Sequence, residues 1–148
     1  LIEYNARFGD PETQVLMMRM KSDLLPAMIA TADGQLDAFA VQWRDQSAIT
    51  VVMAADGYPE TPKKGTVING VDAAEAAGAT VLHAGTARDA SGALVANGGR
   101  VLNVTALGAT VGEAAETVYQ AIDKIDWQGG FCRRDIGWRA IEREKGAA

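Results

Sequence analysis

The sequence has 148 residues, of which 48% are hydrophobic and 22% charged, with a formal net charge of −5. A chain of this length buries about two-thirds of its unfolded surface, enough for one core, so a single domain spanning 1–148 is expected. One Cys and one His exclude a disulfide framework and a Cys/His zinc site, no apolar run nears the roughly 20 residues of a membrane helix, and the acidic balance argues against nucleic acid as a partner.

No charged segment followed by an apolar one opens the chain, so no signal peptide is expected, and the lone Cys132 suits a reducing cytoplasm. The first residue is Leu, as expected of a chain that begins inside a larger protein. Glycine, at 16 residues, exceeds the usual share of roughly 7% and predicts many turns, with a loop that meets a ligand closely.

In chain order, Leu1 to Tyr4 reads as the tail of a strand. Asp10-Pro11-Glu12 then predicts a helix to about Met20, with Asp10 as N-cap, Pro11 in the first turn and Glu12 against the positive helix end. Ser22 is the expected cap of a second helix, whose Leu25, Met28, Ile29 and Ala32 recur at helical spacing and predict one buried face ending at Asp33-Gly34. The near-continuous apolar run from Ser47 to Ala55 predicts a central strand. Residues 57–65 read as a polar loop, 80–86 as a strand, 88–92 as a turn and 93–96 as a short strand. Asn97-Gly98 predicts a type I′ hairpin, because both central positions of that turn need positive φ, with 100–107 as the returning strand. Thr110 and Glu113 form a capping-box pattern ahead of an amphipathic helix carrying Val111, Ala114, Val118, Ile122 and Ile125. A last helix is expected near Gly137. The fold class is therefore α+β, a mainly antiparallel sheet flanked by helices.

Four stretches could carry chemistry. Glu3, Asn5 and Arg7 alternate, so on a strand they share one face. A carboxylate and an amide oxygen are hard ligands suited to Mg²⁺, and a neighbouring Arg can hold a phosphoryl group or a carboxylate. A half-exposed strand face accounts for the same alternation without a ligand. In Asn97-Gly98-Gly99-Arg100, glycine permits close approach and Arg100 suits a phosphate; a plain turn with a solvent-facing Arg is the alternative. The basic pairs Lys63-Lys64 and Arg133-Arg134 could form a phosphate patch or simply be solvated. His83 is expected to be a hydrogen-bonded structural residue, Cys132 an inert thiol, and Trp43, Trp127 and Trp138 packing residues.

Taken in order, Asn5-Ala6-Arg7-Phe8-Gly9-Asp10-Pro11-Glu12-Thr13-Gln14, Gly57-Tyr58-Pro59, Lys63-Lys64-Gly65, His83-Ala84-Gly85-Thr86, Asn97-Gly98-Gly99-Arg100-Val101-Leu102, Val104-Thr105-Ala106-Leu107-Gly108, Asp123-Lys124-Ile125-Asp126-Trp127 and Arg133-Arg134-Asp135-Ile136-Gly137 resemble phosphoribosylamine–glycine ligases, also called glycinamide ribonucleotide synthetases, of the ATP-grasp superfamily. The resemblance covers essentially the whole chain. It implies the C-terminal domain of such a ligase, with 1–20 closing the ATP-grasp catalytic region and the N-terminal and ATP-grasp lobes lying upstream in the same protein.

The implied reaction joins glycine to 5-phosphoribosylamine with conversion of ATP to ADP and phosphate, in cytoplasmic purine biosynthesis, with Mg²⁺ or Mn²⁺ as metal cofactor. By the same resemblance Glu3 and Asn5 are metal ligands and Arg7 is the catalytic arginine near the acyl phosphate. Gly9, Asp10, Pro11 and Glu12 are a substrate wall. Asn97, Gly98, Gly99 and Arg100 approach the ribose phosphate, with Lys64 a weaker contact. The lobes that clasp the nucleotide are not in this sequence, so the chain alone is expected to be inactive. Two other readings stand beside this one. One is a phosphosugar-binding or assembly module of the same descent without chemistry. The other is a different ATP-grasp enzyme, such as a biotin-dependent carboxylase component, against which the Phe8-Gly9-Asp10-Pro11-Glu12 continuation speaks.

Overall fold

A computed structural model describes residues 6–146. The expected strand tail at Leu1 to Tyr4, and with it Glu3 and Asn5, lies outside the described residues. The elements are α1 (Glu12–Arg19), α2 (Leu24–Ala32), β1 (Ser47–Ala55), α3 (Val71–Ala76), β2 (Thr80–His83), β3 (Thr86–Arg88), β4 (Leu94–Ala96), β5 (Arg100–Gly108), α4 (Val111–Ile122), β6 (Gly130–Cys132) and α5 (Trp138–Gly146). The main sheet has the order β2-β5-β1-β6, every pair antiparallel, and β3 with β4 forms a separate two-stranded sheet. The α+β class read from the sequence holds.

The two long apolar runs became the two central strands, whose faces are covered by α4 on one side and in part by α1 on the other. Their register sets Ile49 opposite Ala106, Val51 opposite Val104 and Met53 opposite Leu102 on one face. That face packs against α4 through Ala114, Val118, Ala121 and Ile122, closing the core. The other face carries Thr50 opposite Thr105 and Val52 opposite Asn103. The Thr50 and Thr105 hydroxyls meet at 2.7 Å. The first helix, α1, packs against β1 and β5, and Pro11 at its start lines a groove with Thr50, Val52 and Ala54 on this second face.

The N-terminus of α4 shows how local and distant residues share the task of satisfying free amides. Thr110 accepts from the Glu113 amide at 3.1 Å, as the capping pattern predicts, while the Glu113 carboxylate takes the Ala109 amide at 2.9 Å. The first-turn amides of Val111 and Gly112 donate instead to Glu144, at 2.8 and 3.2 Å. Glu144 sits on α5, so a charged cap for one helix also fastens another. Replacing Glu144 by Ala should destabilise the protein by about 2 kcal/mol, read as a lowered urea midpoint. An unchanged midpoint would show that α5 contributes nothing through this contact.

Several expectations are corrected. Asp10 does not cap α1. Pro11 occupies the cap position with no side-chain cap, and the Asp10 carboxylate faces Arg100 instead. Asp23, not Ser22, caps α2 by accepting from the Leu25 amide at 3.0 Å, while the Ser22 hydroxyl accepts from the Gln42 amide. The predicted buried face of α2 is open: Leu25, Met28 and Ile29 are 61%, 59% and 53% exposed. Among the described residues α2 packs chiefly against the short 3₁₀ turn Leu36–Ala38, which is too small to cover that face.

The Asn97-Gly98 hairpin is not formed. Residues 94–96 pair with β3 and residues 100–108 with β1 and β2, and neither Asn97 nor Gly98 has positive φ. The amphipathic helix stops at Ile122, with Ile125 beyond its end. The expected strand 80–86 is divided between two sheets, and the sequence reading assigned neither α3 nor β6. Of the three tryptophans only Trp127 is buried, its indole donating to Thr66 Oγ1 at 2.8 Å; Trp43 and Trp138 are exposed.

Candidate functional site

The residues singled out from sequence converge in part. The chain segment between β4 and β5 is made of small residues for a steric reason. A Cβ on Gly98 would stand 3.2 Å from the Gly85 Cα, and one on Gly85 would meet the Arg100 carbonyl at 2.5 Å. A Cβ on Gly99 would run into the Tyr58 ring. The Asn97 amide donates to Gly85 O at 2.7 Å and the Ala55 amide to Gly99 O at 2.8 Å, so this crossing is held from both sides. The close approach that glycine permits here is thus made by the protein's own backbone and by Tyr58.

Arg100 follows directly, at the start of β5. Its Nε donates to the Tyr58 hydroxyl at 3.1 Å, and its Nη1 donates to the Asp10 carbonyl at 2.9 Å and to the Asp10 carboxylate at 3.4 Å. The Tyr58 hydrogen bond above all, and then the Asp10 charge, pushes the guanidinium above its already high value, so it is a permanent cation. A guanidinium has five N–H donors. Tyr58 and Asp10 engage Nε and Nη1, and among the described residues Nη2 has no partner.

Arg100 and Tyr58 line a groove of about 310 Å³ with Pro11, Thr50, Val52, Ala54, Phe131, Cys132, Arg133 and Ile136. Its lining is mainly apolar, with Arg100 and Arg133 as its two charged groups. An apolar lining with a few placed polar groups is the usual make-up of a small-molecule site. Burial pushes the Cys132 thiol up, in keeping with the inert role expected of it.

Other candidates sit differently. Arg7 is exposed and donates to the Phe8 carbonyl at 3.0 Å. Gly9 lies under Glu12, whose carboxylate folds back to within 2.5 Å of where a Gly9 Cβ would stand, and the Gly9 carbonyl accepts from Thr13 Oγ1 at 2.7 Å. Lys64 is exposed on the loop before Gly65, whose amide donates to Ala96 O at 2.7 Å, so it stands beside the β4–β5 crossing without lining the groove. Its neighbour Lys63 pairs with Asp56 at 2.5 Å and holds that carboxyl below its ordinary value. Arg133 pairs with Asp135 and Arg134 with Asp123, each at 2.6 Å. His83 is exposed at the end of β2 and meets Thr86 Oγ1 at 3.0 Å. No cluster of three His, Cys, Asp or Glu side chains able to hold a metal occurs among the described residues.

Sequence reasoning did not assign Tyr58, Phe131 or Ile136 to the site. Tyr58 could have been found, since Gly57-Tyr58-Pro59 stood among the motifs carrying the family resemblance. Ile136 stood in such a motif too, Arg133-Arg134-Asp135-Ile136-Gly137, whereas Phe131 carries no such mark beyond being apolar near the basic pair.

Residues 48–139, which hold the sheet, Tyr58, Arg100 and Arg133, match the family model described as phosphoribosylglycinamide synthetase, C domain. The chain belongs to this family. It is 64% identical over 145 residues to a phosphoribosylamine–glycine ligase of Mesorhizobium japonicum, covering 98% of the chain and 34% of that protein. It is 51% identical over 145 residues to the ligase of Escherichia coli, covering 98% and 34%. The crystal structure of the Thermotoga maritima phosphoribosylamine–glycine ligase superposes with a TM-score of 0.79 at 36% identity, over 91% of this chain and 32% of that one. The chain thus spans about a third of the length of these relatives. The antiparallel α+β fold is that of the family.

Proposed function

We propose that this chain serves as the C-terminal part of a phosphoribosylamine–glycine ligase, and that its groove forms the phosphoribosyl side of the active site. The reaction joins glycine to 5-phosphoribosylamine, giving glycinamide ribonucleotide, ADP and phosphate, as a cytoplasmic step of purine synthesis. Glycine's carboxylate attacks the γ-phosphorus of ATP, ADP leaves, and the amine of phosphoribosylamine then displaces phosphate from the glycyl carbonyl with loss of a proton.

The observation that carries this reading is Arg100. A cation fixed by residues 42 and 90 positions away, and lining a groove, is suited to receive an anion without reorganising. Asn97, Gly98 and Gly99 set where that cation begins, Lys64 adds a more distant positive charge, and Gly9, Asp10, Pro11 and Glu12 wall the adjoining space. Arg7 is the proposed contact to the acyl phosphate. Glu3 and Asn5 offer hard oxygen ligands, a donor set that suits Mg²⁺ or Mn²⁺, and such an ion would neutralise phosphate charge there. The exposed Leu25, Met28 and Ile29 face of α2 supports a docking role toward the upstream lobes, since an apolar stripe of this size is costly to leave in water.

A full-length ligase carrying this chain should release ADP only when glycine and phosphoribosylamine are both present, and the 148-residue chain alone should release none. Binding of phosphosugar by a full-length protein that never releases ADP would favour the non-catalytic module. Replacing Glu3 by Ala should abolish turnover and leave the thermal midpoint unchanged. Full turnover of that variant at saturating Mg²⁺ would remove Glu3 from the site.

A further inference from the structure

The basic pair Arg133-Arg134 divides between two environments. Arg134 pairs with Asp123 at 2.6 Å, lies 5.5 Å from the centre of the Tyr119 ring and is absent from the groove wall. Arg133 lines the same groove as Arg100. Its Nε and Nη2 donate to the two oxygens of Asp135, at 2.9 and 2.6 Å. Among the described residues Nη1 and the remaining Nη2 hydrogen have no partner, so Arg133 is tethered along its Nε–Nη2 edge alone.

The loop bearing it is clamped. The Tyr119 hydroxyl donates to the Arg133 carbonyl at 3.1 Å and accepts from the Ile136 amide at 3.0 Å. Tyr119 belongs to α4, which is packed into the core, so the loop inherits the rigidity of that helix.

We propose that Arg133 is a second anion-contacting residue of the groove and Tyr119 the residue that positions it. This rests on the reading of the groove given above. Arg100 and Arg133 line one small concavity, and each is already paired with one carboxylate, so what they offer together is a set of remaining N–H donors rather than net charge; the three terminal oxygens of a phosphate monoester can take several such donors at once. The apolar lining residues Val52, Ala54, Phe131 and Ile136 then face the carbon skeleton of the sugar.

The test measures calorimetric binding of glycinamide ribonucleotide to a full-length ligase carrying this chain, together with the KM values for glycine and ATP. Arg133→Ala should weaken binding of the nucleotide about tenfold, as expected for loss of one charge-assisted contact, with both KM values within twofold of the parent. Tyr119→Phe should weaken it about threefold, and Arg134→Ala should leave it within twofold. If Arg133→Ala fails to accumulate, Arg133→Gln carries the same comparison. Unchanged nucleotide affinity in the Arg133 variant, with a loss in Arg100→Ala, overturns this proposal and leaves the reading of the groove intact. Unchanged affinity in both variants overturns that reading as well. A uniform loss toward all three ligands also overturns the proposal, because it marks a structural effect.

Discussion

Arg100→Ala in a full-length ligase carrying this chain should raise the KM for 5-phosphoribosylamine roughly 10- to 150-fold, the equivalent of a charged hydrogen-bonding contact worth about 1.5–3 kcal/mol. The KM for ATP should stay within twofold. Tyr58 and Asp10 hold Nε and Nη1, so the side chain pays little conformational entropy on meeting a phosphate. Arg100→Lys should recover only part of the loss. An ammonium keeps the charge but cannot engage Tyr58, Asp10 and a ligand on three separate edges. If only the ATP KM moved, the groove would lie on the nucleotide side and the placement of the phosphoribosyl group would be wrong.

The largest stability effect should come from Gly70→Ala, a loss of about 3 kcal/mol seen as a lowered urea midpoint. Gly70 has φ +79°, a conformation that costs any residue with a Cβ about 1–2 kcal/mol. A Cβ there would also collide with the Lys124 carbonyl. That carbonyl cannot retreat cheaply. Asn69 and Asp126 exchange two backbone hydrogen bonds, at 2.9 and 3.0 Å, which lock the segment before α3 to the one after α4. Gly34→Ala serves as the control. Its φ is +66° but nothing stands near its Cβ position, so it should lose only the conformational part. Equal losses at both sites would show that crowding at Lys124 contributes nothing.

What could be read from the chain depended on the range of the interaction. The run from Ser47 to Ala55 and the stripe of Ala114, Val118 and Ile122 became the central strand and the covering helix, because burial periodicity is a property of neighbouring residues. Asn97-Gly98 misled because it is a local signal with two causes. The pair marks a tight turn when both residues take positive φ, but here Gly98 is small so that Gly85 can cross it. The α2 stripe misled in another way, since its spacing reports that a face is apolar and not what covers it. The site was the least legible part. Arg100 could be nominated as an anion contact from its residue type and the glycines before it, but its partners Tyr58 and Asp10 are brought in by tertiary structure. Nothing in the spacing of Arg133 and Arg134 separates a groove-facing guanidinium from its neighbour on the far side.

The central claim is that Arg100 meets the phosphate of a phosphoribosyl ligand. Calorimetric binding of glycinamide ribonucleotide and of its dephosphorylated riboside, each to the parent ligase and to Arg100→Ala, tests it most directly. The parent should lose at least tenfold more affinity on removal of the phosphate than the variant does. Equal losses in the two proteins would contradict the claim, because the phosphate would then be bound without Arg100.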